Sequence, residues 1–311
     1  MKPEDFKSLI AQAHPRISGY IRKTPTITLS EGAFGVDGQL TLKLELMQHA
    51  GSFKSRGAFN RILCNAVPPA GVIAASGGNH GAAVAYAARQ LNHTAEIFVP
   101  TISSSTKVER IKSYGAKVVV DGCDYFEALA KSDVRARATG ALIIHAFDQW
   151  EVIVGQGTVG LEFERQLPEL DTVMVSVGGG GLIGGIAAWY QGRCQVVSVE
   201  PEQASTLHDS LAAGRRKTVK VGGIAADALG AREVGEMMFA IAQQYITQTV
   251  LVDEASIVQA QQLLWDELRV IAEPAGVVPI AALISRRYVP KPGEKLGVLI
   301  CGGNMDLTQW K

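Results

Sequence analysis

The chain has 311 residues, of which 47% are hydrophobic and 19% charged, and its 30 Lys+Arg balance 30 Asp+Glu. Without a charge excess nothing holds a polyanion by counterion release, so nucleic acid is not an expected partner, and the composition is that of an ordinary globular protein. Four cysteines (Cys64, Cys123, Cys194, Cys301) show no CxxC or finger-like spacing, which argues against a disulfide framework and a structural zinc site and makes a reduced, cytoplasmic setting the expectation.

The N-terminal segment MKPEDFKSLIAQAHPRI carries acids and reads as an amphipathic helix, not a signal peptide. TPTITLS and TLKLE follow as strands, and GSFKSRGA (51–58) then sets Lys54 among small residues just before a helical pattern. From there short apolar runs alternate with helical stretches: GVIAAS, AEIFVP, AKVVVDG and ALIIHA, then DTVMVSV, CQVVSVE, TVLVDE and LGVLICGG. Runs with little polar alternation suit parallel strands covered on both faces, and βαβ alternation predicts an α/β fold. The first four runs form one expected sheet; the rest, with the two N-terminal strands, form another. The uncharged stretch between Asp171 and Arg193 approaches the length of a membrane span, about 20 residues. Its GGGGLIGG centre is too glycine-rich for a continuous helix, so strand, loop and helix is the better reading, and no membrane association is expected.

Two loops have the character of anion sites. The run Gly178, Gly179, Gly180, Gly181 follows a strand and opens a helix, where free N–H groups suit a phosphate. Read as GxGxxG through Gly179, Gly181 and Gly184, with Glu200 ending the next strand, the same run suits a nicotinamide or flavin enzyme. SGGNHG (76–81) is a second nest, suited to a carboxylate. Taken singly, Lys54 reads as a solvated lysine, Asn79 as a helix cap and His80 as a solvent-facing histidine.

Those motifs stand in order with KTP (23–25), KLE (43–45), GQGT (155–158), EPAG (273–276) and CGGN (301–304). With them the chain resembles the fold-type II pyridoxal-phosphate enzymes, specifically the serine/threonine dehydratases and serine racemases, over nearly its whole length. The resemblance implies a tryptophan-synthase-β-like α/β fold of two domains, each a mostly parallel sheet flanked by helices. Residues 1–66 and 149–311 would form a large domain that binds pyridoxal 5'-phosphate, and 67–148 a small mobile domain. It further implies that Lys54 bonds the cofactor as a Schiff base and removes the substrate's α-proton. Phe53 would pack along the cofactor ring, and Asn79 would bond its phenolic oxygen. Gly178, Gly179, Gly180, Gly181 and Leu182 would hold the phosphate. Cys301 would face the pyridine nitrogen, where a neutral thiol makes a weaker electron sink than a carboxylate. Ser76, Gly77, Asn79 and His80 would grip the substrate carboxylate.

The implied activity is α,β-elimination of water and ammonia from L-threonine or L-serine, giving 2-oxobutyrate or pyruvate. Serine racemase, a dehydratase of hydroxyaspartate or another 3-hydroxy amino acid, and remotely an NAD-dependent oxidoreductase are the alternatives. Gly77 stands where the racemases of this family carry a proton-donating serine, so little D-isomer is expected, and Gly77→Ser should raise racemisation provided the added side chain fits the nest without disturbing the carboxylate. Cation-binding members carry an acid where this chain has Thr206. Glu200 and the Ala204 carbonyl alone are a thin ligand set, so no metal is expected. Ala228 follows Asp227 where glycine is usual, which bears on substrate selection. The chain ends shortly after CGGN, so a C-terminal regulatory domain is not expected; a homodimer is.

Overall fold

The computed structural model describes residues 2–306. Among them ten strands form where the apolar runs stand: β1 (Thr26–Thr28), β2 (Gln39–Leu44), β3 (Val72–Ala75), β4 (Ala95–Val99), β5 (Lys117–Val120), β6 (Leu142–Ile143), β7 (Thr172–Ser176), β8 (Gln195–Pro201), β9 (Ile246–Val252) and β10 (Lys295–Ile300). They build a six-stranded sheet in the order β1-β2-β10-β7-β8-β9 and a four-stranded sheet in the order β5-β4-β3-β6. Every pairing is parallel except β1 with β2.

The register explains why the strands lack polar alternation. Leu42, Val298, Met174 and Val197 stand opposite one another across four neighbouring strands and bury themselves under the helix Pro274–Ile284. Their chain neighbours Val173, Val175, Val196 and Leu299 point the other way, into a second core. With both faces covered, apolar residues occupy consecutive positions instead of alternating with solvent-facing polar ones. A fully buried aliphatic side chain contributes about 1.5–3 kcal/mol, so the alternate residues of one strand stabilise two separate helical layers.

In chain order the helices that position the cleft are α1 (Phe6–Ile17), α2 (Lys54–Leu63), α3 (Asn79–Gln90), α4 (Ser105–Ser113), α5 (Tyr125–Thr139), α6 (Trp150–Gln166), α7 (Gly181–Tyr190), α8 (Thr206–Ala212) and α9 (Ala226–Leu229). The glycine-rich stretch resolves into β7, a loop and α7. Among the described residues no helix is long and apolar enough to cross a membrane.

Several of the motifs serve the scaffold. Arg56, wholly buried on α2, donates through Nε to Glu45 at 2.8 Å and through Nη2 to Glu162 at 3.1 Å. Lys43 reaches the same Glu162 and donates to the Thr24 carbonyl at 2.8 Å. KTP, KLE, FKSRG and the helix carrying GQGT thus meet in one internal ion cluster, which seats α2 on α6. Charges buried this deeply are tolerated because each carboxylate faces two cations.

Candidate active site

Three motifs sit at helix N-termini: Lys54 opens α2, Asn79 opens α3 and Gly181 opens α7. Unpaired N–H groups and the helix dipole make each of these ends attractive to anions. A cleft of about 890 Å³ brings together Lys54, Ser76, Gly77, Asn79, His80 and Gly179. Phe53, Cys301, Leu182 and the rest of the glycine run are buried behind that surface.

Lys54 is enclosed, with its Nζ donating to the Ala146 carbonyl at 2.7 Å and lying 5.2 Å from the centre of the Phe53 ring. Burial pushes its amine down to about 8, opposed by Cys301 and Glu273. The segment before it is tied to the end of β10, where Phe53 N–H donates to the Cys301 carbonyl at 3.2 Å and Ser52 bridges to Gly302. Burial also pushes the Cys301 thiol far up, so it stays neutral, 3.6 Å from the Ala275 carbonyl.

The SGGNHG turn is held from several directions. Ser76 Oγ accepts from Gly78 N–H at 3.1 Å. Asn79 donates through Nδ2 to Glu273 at 2.6 Å and accepts through Oδ1 from Asn304 at 2.6 Å, which fixes its amide orientation. Burial pushes Glu273 up to about 7, opposed by the Asn79 hydrogen bond. His80 does not face solvent. Its ring is buried, Nε2 bonds the Ile144 carbonyl at 2.9 Å, and burial, with Lys54 nearby, pushes it down to about 3. A neutral imidazole committed to a carbonyl leaves the turn its backbone amides, not a histidine cation, for binding an anion.

Gly77 packs against Ser103: a Cβ at 77 would lie 2.1 Å from Ser103 Oγ and 3.1 Å from Val99 Cγ1. The expectation for Gly77→Ser depended on the added side chain fitting the nest, and here it would have to displace the Ser103 hydroxyl. In the glycine run, Gly180 has φ 86°, and a Cβ at Gly179 would lie 2.3 Å from the Phe147 ring. The N–H groups of Gly179 to Leu182 meet no acceptor among the described residues.

Glu200 is wholly buried and accepts from Leu207 N–H at 2.7 Å and His208 N–H at 2.8 Å, capping α8. Thr206 Oγ1 lies 3.2 Å from that carboxylate and donates to the Gly178 carbonyl at 2.9 Å. No cluster of three or more His, Cys, Asp or Glu is arranged to hold a metal ion among the described residues. At the mouth, Lys107 of α4 pairs with Asp227 of α9, and Arg232 lies 3.4 Å from Asp124 and 4.7 Å over the Phe126 ring. The motifs EPAG and CGGN mark Glu273 and Asn304 without revealing that these clamp Asn79, and Ser103, Ala146 and Phe147 are cleft residues that the sequence does not point to. Glu273 and Asn304 had a signal in their motifs; the others had none.

Residues 17–302 match the family described as pyridoxal-phosphate dependent enzyme. The chain belongs to that family. It is 34% identical over 304 residues to an L-threonine ammonia-lyase of Thermotoga maritima, covering 96% of this chain and 75% of that protein. It is 33% identical over 307 residues to a serine racemase of Oryza sativa subsp. indica, covering 96% and 90%. The structure of maize serine racemase superposes with a TM-score of 0.91 at 32% identity, covering 97% and 94%. The fold is accordingly that of the fold-type II pyridoxal-phosphate enzymes, and pyridoxal 5'-phosphate is the cofactor. The residues present fit it: an enclosed lysine with a depressed pKa lines the cleft, and unclaimed N–H groups stand at a glycine turn too crowded for side chains.

Proposed function

We propose that this pyridoxal-phosphate enzyme eliminates water and ammonia from L-threonine or L-serine, giving 2-oxobutyrate or pyruvate. The bound cofactor supplies the electron sink that lets an amino acid's Cα–H bond break heterolytically. Lys54 would hold it covalently, Gly178 to Leu182 would take its phosphate, and Asn79, held by Glu273 and Asn304, would bond its phenolic oxygen. Cys301, a neutral thiol, would stand at the ring nitrogen without protonating it. The backbone of Ser76 to His80 would bind the substrate carboxylate and orient the α-hydrogen toward Lys54. An amine shifted to about 8 is neutral often enough near neutral pH to act as the base.

One observation carries elimination over racemisation: the turn that faces the substrate has no side chain at Gly77 to return a proton from the side opposite Lys54. A second reading, serine racemisation, is favoured by the Ser103 hydroxyl packed against that glycine. The test is incubation of the holoenzyme with L-threonine and L-serine, with a 2-oxo acid assay beside chiral chromatography. Elimination predicts 2-oxo acid in large excess over D-isomer; D-serine formed as fast as pyruvate would replace it with racemisation.

A further inference from the structure

The turn at 76–80 is the part of the cleft assigned above to the substrate carboxylate, and its own side chains are largely spoken for. The Asn79 amide spans Glu273 and Asn304 and the His80 ring bonds Ile144, while Ser76 Oγ accepts from Gly78 N–H and keeps its O–H as a donor. Gly77 offers no side chain. Beside it stands Ser103, on the segment leading into α4, lining the same cleft with a hydroxyl that bonds no group among the described residues. Its Oγ lies 2.1 Å from where a Cβ at residue 77 would be, so the hydroxyl fills the volume that a side chain at 77 would fill. A side chain at 77 would therefore have to displace the Ser103 hydroxyl, so the two positions are coupled by shape.

We propose that Ser103 is a substrate-binding residue whose hydroxyl replaces the missing side chain of Gly77 and donates a hydrogen bond to the carboxylate of the bound amino acid. This rests on the carboxylate assignment of the 76–80 turn and adds to it a partner from a different segment. The turn supplies backbone donors that are rigid and identical for any carboxylate. Ser103 adds a rotatable donor beside that of Ser76, carried by the separate segment that leads into α4, and makes substrate grip depend on how that segment seats against the turn.

The experiment measures binding without turnover, using L-alanine, which has no β-leaving group, titrated calorimetrically into the holoenzyme. Ser103→Ala should raise the dissociation constant about tenfold, as for one hydrogen bond to a charged group, with cofactor absorbance and unfolding midpoint unchanged. Gly77→Ser alone should also weaken binding, because its Cβ meets Ser103. The exchange variant Gly77→Ser with Ser103→Gly moves the hydroxyl from one segment to the other and clears the clash. It should bind L-alanine within about threefold of wild type, where independent losses of about tenfold each would multiply to about a hundredfold. A Ser103→Ala dissociation constant within about twofold of wild type would overturn the proposal. So would an exchange variant as weak as the product of the single changes. Wild-type holoenzyme that binds L-alanine but turns over neither L-serine nor L-threonine overturns only the elimination reading; holoenzyme that does not bind L-alanine overturns the carboxylate assignment together with this proposal.

Discussion

Lys54 illustrates how a common residue becomes a reactive one. An exposed lysine keeps its proton at any physiological pH, but enclosure against Phe53, with a single carbonyl partner at Ala146, disfavours the ammonium and brings its titration to about 8. With the roles proposed for Lys54, Lys54→Ala removes both the covalent anchor and the base. Elimination should fall by several orders of magnitude, and the visible absorbance of the purified protein should disappear; turnover within about tenfold of wild type would defeat the assignment. Glu273 shows the opposite sign. Burial raises its carboxyl from 4.5 to about 7, so the fold favours the protonated form. The associated stability is fully present below about 4.5 and is lost as pH rises through about 7, a change of up to about 3 kcal/mol. Glu273→Gln keeps an acceptor for Asn79 and cannot ionise. Urea unfolding of the apoprotein between pH 5 and 8, roughly the window of the shift, should show wild type losing more stability than the variant; parallel curves would show that Glu273 does not titrate there.

At the scale of elements, the inner strands such as β3, β4, β7 and β10 were legible because they are largely buried on both faces and therefore written as mostly apolar runs. Their order was not: β10 lies between β2 and β7, a placement fixed by pairings such as Val298 with Leu42 and Met174 that no local pattern encodes. The same division holds at the cleft. Lys54, the SGGNHG turn and the glycine run are local motifs at helix starts, readable because loop and helix residues adjoin in sequence. The burial of His80 depends on a carbonyl 64 residues later, and the contact of Ser103 with Gly77 depends on α4 returning beside α3. The start of α8 is a similar case. Glu200, read as a thin cation ligand, spends its oxygens on the N–H groups of Leu207 and His208, and Thr206 links that cap to the glycine loop. A hydroxyl and a helix end thus hold Glu200 in place, and the expected consequence is indifference to divalent cations. Exhaustive chelation should leave at least about half the activity, as for a site not built from several oxygen donors; a complete loss restored only by Mg²⁺ or Ca²⁺ would contradict it.

The whole molecule places its cleft where the two sheets meet, so its lining comes from groups carried by the six-stranded sheet and groups carried by the four-stranded one. The reading of residues 67–148 as a mobile unit makes the contacts across the mouth into determinants of closure. Lys107 on α4 pairs with Asp227 on α9, and Arg232 reaches Asp124 and the Phe126 ring. The Lys107 and Asp227 side chains are 23% and 59% exposed, so their attraction is screened by salt and is worth at most about 1 kcal/mol. That is too little to hold the fold together and enough to bias an open–closed equilibrium by about fivefold. Lys107→Met keeps most of the aliphatic stem and removes the charge. KM for L-threonine should rise up to about fivefold while kcat changes less, because the closed form, once reached, retains Lys54 and the carboxylate turn. Salt separates this from a local packing effect. Raising ionic strength from about 0.05 to 0.5 M shortens the screening length well below the width of the cleft, and should raise the KM of wild type toward that of the variant while moving the variant little. Equal salt responses would mean that the pair does not govern closure.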